Sequence, residues 1–188
     1  MINADTEAPL ARLATTAPRL ADRKGAQRRL SELVQRSHPK DGDIGLVTWM
    51  EEEPKVRDLL LGVLAHSSFL AGIARADVAR LECLLGTPPE VTRERIVADA
   101  SGAWRECAEA ADLMRRLRRL RAEHALFVAL ADLGGIWSVE QVTEALTAFA
   151  DACVGSAARF LLAEQAKLGR LNVPDADNPE PGSGLVVL

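Results

Sequence analysis

The sequence predicts an all-α protein, a multi-helix bundle built around one long antiparallel helical hairpin. Apolar residues recur at steps of three and four along residues 113–168, a spacing that places their side chains on one face of a helix. Aromatic residues make up only 4% of the 188 residues, and tyrosine is absent. Leucine, alanine and valine must therefore supply most of the core, a composition that suits helix packing better than sheets.

The predicted hairpin spans residues 104–168. Its first helix should end at Gly134 and Gly135, because glycine adopts the left-handed conformation often found at helix C-termini. Ser138 and Gln141 have the spacing of a capping box, which predicts the start of a second helix. Two facing stripes and a short connection predict an antiparallel pair. The stripe residues are Leu113, Leu117, Leu120, His124, Phe127 and Ala131 in the first helix, and Val142, Leu146, Phe149, Cys153, Ala157 and Phe160 in the second.

Shorter helices are expected before the hairpin. Pro54 suits the first position of one helix, where a missing backbone N–H costs nothing. Ser67 or Ser68, and then Asp77, have side chains that cap helix N-termini, so we expect further helices to follow them. Three more helices are expected near residues 26–37, near residues 44–50 and from Glu90 onward.

The character of the chain changes near residue 172. Residues 1–171 are predicted to form the helical domain, since a chain of this length can enclose a sizeable core. Residues 172–184 are dense in proline, glycine and aspartate, which is the composition of a linker. Residues 185–188 have the pattern of a buried β-strand. Because this short strand has no partner in the sequence, we expect a further domain beyond Leu188.

The bulk composition excludes some classes of partner. The net charge of -4 argues against a general nucleic-acid binder, which needs a basic excess on one face. No apolar run approaches the roughly 20 residues of a membrane-spanning helix, so no membrane is expected. The three cysteines, Cys83, Cys107 and Cys153, are odd in number and far apart in the sequence. They are expected to be buried small hydrophobic residues of helices in a reducing compartment, the cytoplasm.

No catalytic, cofactor-binding or metal-binding residue is predicted in this chain. Asp175 and Asp177 have the D-x-D spacing that holds magnesium in phosphoryl transfer, but they lie in the predicted linker and are interpreted as turn residues. Asp41 and Asp43 share that spacing, and Asp43 is expected to cap a helix. Gly182-Ser183-Gly184 precedes a strand, whereas a phosphate-binding loop follows one. The three histidines lack the spacing of zinc ligands, and His124 is interpreted as a hydrogen-bonded core residue.

An arginine cluster in the first hairpin helix is the best functional candidate. Guanidinium groups bind phosphate or the carboxylates of an acidic protein face, so the cluster predicts partner contact. The alternative is a solvated helix face paired with Glu109 and Asp112. The predicted contact residues are Arg115, Arg118, Arg119 and Arg121.

Two stretches and the chain's ending resemble the glutamine synthetase adenylyltransferase/deadenylylase family. The stronger stretch is LRRLRAEHALFVALADLGGIWSVEQVTEALTAFADAC, which is similar to the helical hairpin ahead of that family's nucleotidyltransferase domain. The weaker stretch is SSFLAGIARADVARLECLLGTPPE, which resembles an earlier family segment with a Ser-x-Phe-Leu turn. In the family, a strand like Gly184-Leu185-Val186-Val187-Leu188 leads into a GMGKLGG loop and a Ser-Asp-x-Asp metal pair.

The resemblance implies a helical region leading into the deadenylylating half of a bifunctional enzyme. That enzyme adds AMP to glutamine synthetase and removes it, and thereby regulates nitrogen assimilation. The family's nucleotide loop and metal carboxylates would fall beyond Leu188, so this chain alone is not expected to be active. The resemblance implies Mg²⁺ and ATP for the full-length member, none of them in this chain. It also implies glutamine synthetase and the PII signal protein as partners.

Two other classes of protein remain open from the sequence. One is a stand-alone helical adaptor or homodimeric protein-interaction domain, which would use an exposed leucine stripe. The other is a small helical DNA-binding protein that uses the arginine helix, which would be retained on duplex DNA in a strongly salt-dependent manner.

Overall fold

The computed structural model describes residues 7–20, 22–39, 42, 44–173, 175 and 177–185. Within these residues there are nine α-helices and no β-strand, so the all-α prediction is confirmed. The helices are α1 Leu10–Leu13, α2 Arg23–Gln35, α3 Leu46–Glu52, α4 Pro54–His66, α5 Ser68–Ala76, α6 Val78–Gly86, α7 Pro89–Gly102, α8 Ala110–Leu133 and α9 Val139–Lys167, with a 3-10 turn at Ala103–Arg105 between α7 and α8.

The contacts divide the chain into two compact units. The first unit comprises Met1–Glu94 and Ala122–Leu146, and the second comprises Arg95–Arg121 and Thr147–Leu188. The unit boundaries fall inside helices α7, α8 and α9. Each of these helices therefore contributes residues to both units.

Helix α4 lies at the centre of the first unit, where it packs against α2, α3 and α5. Its residues from Leu59 through Leu64 are buried on all sides, as expected for a helix surrounded by others, whereas Arg57 and Asp58 near its start are exposed. Gly62 permits a close approach by Pro18, because a Cβ atom at that position would lie 2.6 Å from the proline Cδ. Arg29 Nη1 donates to the Leu64 carbonyl at 2.6 Å and so ties α2 to the end of α4.

The predicted helix starts in the first unit are confirmed. Pro54 occupies the first turn of α4. The Ser67 hydroxyl accepts a hydrogen bond from Leu70 N, and the Asp77 carboxylate accepts one from Arg80 N. The start of α3 was predicted to be capped by Asp43, which lies outside the described residues. At that helix start, the buried Glu82 carboxylate on α6 accepts from Leu46 N at 3.0 Å and also from the Ser37 hydroxyl.

Helix α8 ends at the predicted glycines. Gly135 has φ +67°, and its N–H donates to the Asp132 carbonyl while Ile136 N donates to the Ala131 carbonyl. This pair of hydrogen bonds is the Schellman motif, which requires the left-handed conformation at Gly135. The Gly134 carbonyl then accepts from both Thr15 N and Thr16 N. The N-terminal segment thus covers the free carbonyl end of α8.

The predicted capping box at the start of α9 is also present. Ser138 N donates to the Gln141 side chain at 2.9 Å, and Gln141 N donates to the Ser138 hydroxyl at 3.4 Å. Hydrogen bonds from the Glu140 backbone and from Ser138 lower the pKa of the Glu140 carboxyl. A carboxylate in the first turn also interacts favourably with the positive end of the helix.

Replacing Ser138 with alanine should destabilise the first unit by about 1 kcal/mol, because one backbone N–H at the start of α9 loses its acceptor. Thermal and urea unfolding of both proteins would measure this change. Ser31→Ala is a suitable control, since the Ser31 hydroxyl donates to a carbonyl within α2 and caps no helix. Equal stability of the Ser138 variant and the parent would contradict the capping assignment.

In the second unit, the first turns of α8 pack against the last turns of α9. The cluster joins Leu113 with Phe160 and with the 3-10 turn that contains Ala103 and Trp104. The buried Ser156 hydroxyl accepts from Trp104 N at 3.2 Å and so ties that turn to α9. Contact between the start of one helix and the end of the other is the pattern expected of an antiparallel pair.

The buried face of α9 differs from the predicted stripe. Phe149 and Phe160 are buried as expected, but Leu146 is 49% exposed. The small residues Ala145, Ala152 and Ser156 are buried instead. Small side chains allow neighbouring backbones to approach closely, so they form the packed face although they carry little hydrophobic signal.

The described residues of the predicted linker form no helix or strand and belong to the second unit. Arg105 Nη2 donates to the Asp177 carbonyl at 2.8 Å, and Arg159 Nη2 donates to the Glu180 carboxylate at 3.0 Å. Leu185, the described residue of the predicted strand, is exposed and has no regular structure. The other three residues of that strand, 186–188, lie outside the described residues.

Candidate functional site

The arginine cluster lies on the N-terminal half of α8, within the second unit. It comprises five residues, Arg115, Arg116, Arg118, Arg119 and Arg121. Its position follows from the helical period, because Leu113, Leu117 and Leu120 face inward and the intervening arginines face outward. Four of the arginines line an open cavity of about 560 Å³ together with Glu106, Cys107 and Asp112. The lining arginines are Arg115, Arg116, Arg118 and Arg119.

Two arginines of the cluster form ion pairs with carboxylates of the second unit. Arg115 pairs with Asp112, one turn earlier on the same helix. Arg116 Nη1 lies 2.6 Å from Glu106 Oε2 in the segment before α8. The sequence indicated Asp112 as a neighbour but missed Glu106, because ten residues separate it from Arg116 and no helical period relates the two.

The other three arginines carry exposed charge. Arg118, Arg119 and Arg121 are exposed, and no described residue forms an ion pair or hydrogen bond with their side chains. We refer to these three residues as the basic surface. Of the four predicted contact residues, Arg115 is paired with a carboxylate and the remaining three form this surface.

Of the two aspartate pairs with D-x-D spacing, only the pair near the C-terminus is described. Asp177 N donates to Asp175 Oδ1 at 2.9 Å, which is an Asx-turn of the kind that aspartate forms in loops. The Ser183 hydroxyl likewise accepts from Leu185 N at 3.2 Å. Asp41 and Asp43 lie outside the described residues.

No metal site is formed by the part of the chain that the structure describes. Within it, no three His, Cys, Asp or Glu side chains lie close enough together to hold an ion. Asp175 and Asp177 were interpreted as turn residues, and the Asx-turn that they form agrees with that interpretation. The three cysteines are free thiols, but their predicted burial is wrong, because Cys83 is exposed and Cys107 and Cys153 are only partly buried.

His124 is confirmed as a buried core residue, with 3% of its surface exposed. Burial lowers the pKa of His124 to about 4, although a hydrogen bond with the Ala145 backbone partly opposes the shift. The imidazole is therefore neutral at pH 7. Its position among buried residues of α8 gives it a packing role.

Helix α9 meets the length and composition criteria for a membrane-spanning helix. Its most apolar window has a mean hydropathy of 1.4, and 28% of that window is buried within the protein. Core helices of folded domains meet the same criterion. In the second unit, Phe160 of α9 packs in the cluster that contains Leu113 and Trp104.

The described residues thus define an all-α domain with an exposed basic surface on α8. Comparison with known proteins gives the family. The profile of the glutamate-ammonia ligase adenylyltransferase family matches residues 58–188. This match covers more than half of the sequence, so the chain belongs to the glutamate-ammonia ligase adenylyltransferase family, and the family resemblance is confirmed.

Several curated relatives share the name bifunctional glutamine synthetase adenylyltransferase/adenylyl-removing enzyme. The relative from Xanthobacter autotrophicus is 38% identical over 95% of this chain and 18% of its own length. The relative from Rhodopseudomonas palustris is 39% identical over 91% of the chain and 17% of its own length. The relative from Bradyrhizobium diazoefficiens is 41% identical over 72% of the chain and 14% of its own length. The chain thus spans less than a fifth of these relatives. No solved structure matches it.

Proposed function

We propose that this chain is a helical supporting region of a bifunctional enzyme that attaches AMP to glutamine synthetase and removes it. The observation that carries the proposal is the family match across residues 58–188, together with relatives whose names state both activities. The relatives also favour this function over a stand-alone adaptor, because each of them is several times longer than this chain.

The packing of the chain supports a structural role for these helices. Helices α8 and α9 contribute to both compact units, and their ends are held by a Schellman motif and a capping box. Side chains that are locked by packing and hydrogen bonds provide a rigid base for a neighbouring active site. The helices would therefore support and position the domain that performs the chemistry.

The remaining requirements of the proposed enzyme belong to the longer protein. We propose that Mg²⁺ and ATP bind to parts of the longer enzyme outside this chain, as the family resemblance implies. Glutamine synthetase is the proposed substrate, and the PII signal protein is a proposed second partner. We propose a cytoplasmic location, which agrees with the three free thiols.

The isolated 188-residue chain should not attach AMP to purified glutamine synthetase with Mg²⁺ and ATP. It should also not transfer AMP from the modified protein to phosphate, a reaction that would release ADP. Intact-mass measurement of glutamine synthetase would detect either reaction. The Xanthobacter autotrophicus relative provides a positive control. Turnover by the isolated chain would show that the chemistry resides within these helices.

The proposal itself is tested with the polypeptide that the native gene produces in its own cells, recovered through an affinity tag. With Mg²⁺ and ATP, this protein should add the mass of AMP to glutamine synthetase. A purified product that leaves the mass of glutamine synthetase unchanged, while the positive control modifies it, would contradict the proposed function.

A further inference from the structure

We propose that Arg118, Arg119 and Arg121 form a docking surface for a carboxylate-rich face of the protein substrate. This inference rests on the proposed function, in which that substrate is glutamine synthetase. The starting observation is the uneven pairing of the arginines on α8. Arg115 and Arg116 have carboxylate partners within the second unit, whereas the three residues of the basic surface have none among the residues described.

Around the axis of α8, Arg118 lies between the other two residues of the basic surface. At about 100° per residue, Arg121 lies about 60° to one side of Arg118 and Arg119 about 100° to the other, so only Arg118 and Arg121 are adjacent. Arg118 and Arg119 also line the open cavity of about 560 Å³ beside the paired arginines. The carboxylates of Asp112 and Glu106 pair with Arg115 and Arg116, and no other carboxylate among the described residues pairs with the basic surface.

The chemistry of the surface favours carboxylates as ligands. A guanidinium group presents a planar set of N–H donors that matches a carboxylate or phosphate in a bidentate manner. Three exposed charges on a chain of net charge -4 are too few for a nucleic-acid footprint, which neutralises many phosphates over a broad basic face. The proposed substrate is a protein, and carboxylates are the anionic groups that an unmodified protein surface offers.

The test is a binding titration of the 188-residue chain with purified glutamine synthetase from the same bacterium at low and high salt. The triple variant R118Q/R119Q/R121Q should weaken binding about tenfold at low salt and reduce its salt dependence, because three intermolecular charge pairs are lost. The matched control is R115Q/R116Q, whose charges are already paired internally. The control should change the affinity less than about threefold, and circular dichroism should show that both variants remain helical.

Several outcomes would overturn the docking surface. They are an unmodified chain that does not bind glutamine synthetase, a triple variant that binds as tightly as the parent, and a control that weakens binding as much as the triple variant. Retention of the chain on duplex DNA that is lost in the triple variant, with binding to glutamine synthetase unchanged, would assign the surface to nucleic acid. The failure of the docking surface can be told apart from the failure of the proposed function. The proposed function is tested by AMP transfer with the native gene product, which is a separate measurement from this binding titration.

Discussion

Replacing Gly135 with valine should lower the free energy of unfolding by about 3 kcal/mol, the largest effect expected of any single change on the α8–α9 connection. Gly135 has φ +67°, a conformation that a β-branched residue adopts at high cost. The added Cβ atom would also lie 2.7 Å from Thr16 Oγ1 and 3.0 Å from Thr15 Oγ1. The substitution would therefore strain the Schellman motif and displace the N-terminal segment from the carbonyl end of α8.

Gly169 provides a matched control for this prediction. It occupies the same position of a second Schellman motif at the end of α9, with φ +68°, and a Cβ atom added there would meet no described neighbour within 4 Å. Gly169→Val should thus cost only the conformational penalty of about 1–2 kcal/mol. Urea unfolding of the two variants would separate the conformational cost from the steric cost. Equal destabilisation would mean that the contacts with Thr15 and Thr16 contribute nothing.

Acidification should destabilise the first unit through His124. The pKa of this imidazole is about 4 in the folded protein, because burial disfavours its charged form, and about 6.5 in the unfolded chain. The unfolded chain therefore binds more protons between these two values, so stability must decrease as the pH falls. The contribution of His124 is fully present above pH 6.5 and is lost progressively toward pH 4, by roughly 3 kcal/mol in total.

The His124 effect is measured as a difference between proteins, since carboxylates also titrate at the acidic end of this range. The free energy of unfolding should decrease less between about pH 7 and pH 4 in His124→Gln than in the parent. His38→Gln, at an exposed histidine, should retain the pH dependence of the parent. An identical pH dependence in the parent and in His124→Gln would show that the buried imidazole does not control acid stability.

Features set by local chemistry could be predicted from the sequence alone. The caps at Ser67, Asp77 and Ser138 and the left-handed turn at Gly135 each depend on residues within a few positions of one another. The all-α fold class could also be predicted from the sequence, because the helical spacing of apolar residues is visible there.

Features set by distant contacts were missed. The buried face of α4 was predicted, but its central place was not, because the packing of α4 against α2, α3 and α5 depends on contacts between helices that no local pattern shows. The buried Glu82 that caps α3 is 36 residues from Leu46. The packed face of α9 uses small residues, so the exposed Leu146 was assigned to the core because of its hydrophobicity alone.

The candidate site was predicted in position but not in detail. The outward-facing arginines follow from the helical period, and the sequence correctly placed Asp112 beside them. The pairing of Arg116 with Glu106 depends on how the chain turns between α7 and α8. That turn is held by the bond from Trp104 N to Ser156 on a distant helix, which no local pattern reveals.

The most direct test of the central claim, that this chain serves AMP transfer to glutamine synthetase, is the intact mass of that protein isolated from cells. The strains to compare are the parent and one in which the codons for residues 58–188 are deleted in frame, each before and after ammonium is supplied. The fraction of glutamine synthetase that carries AMP should change in the parent and stay constant in the deletion strain, and a restored gene should recover the change. A deletion strain in which the modified fraction responds to ammonium as it does in the parent would contradict the claim.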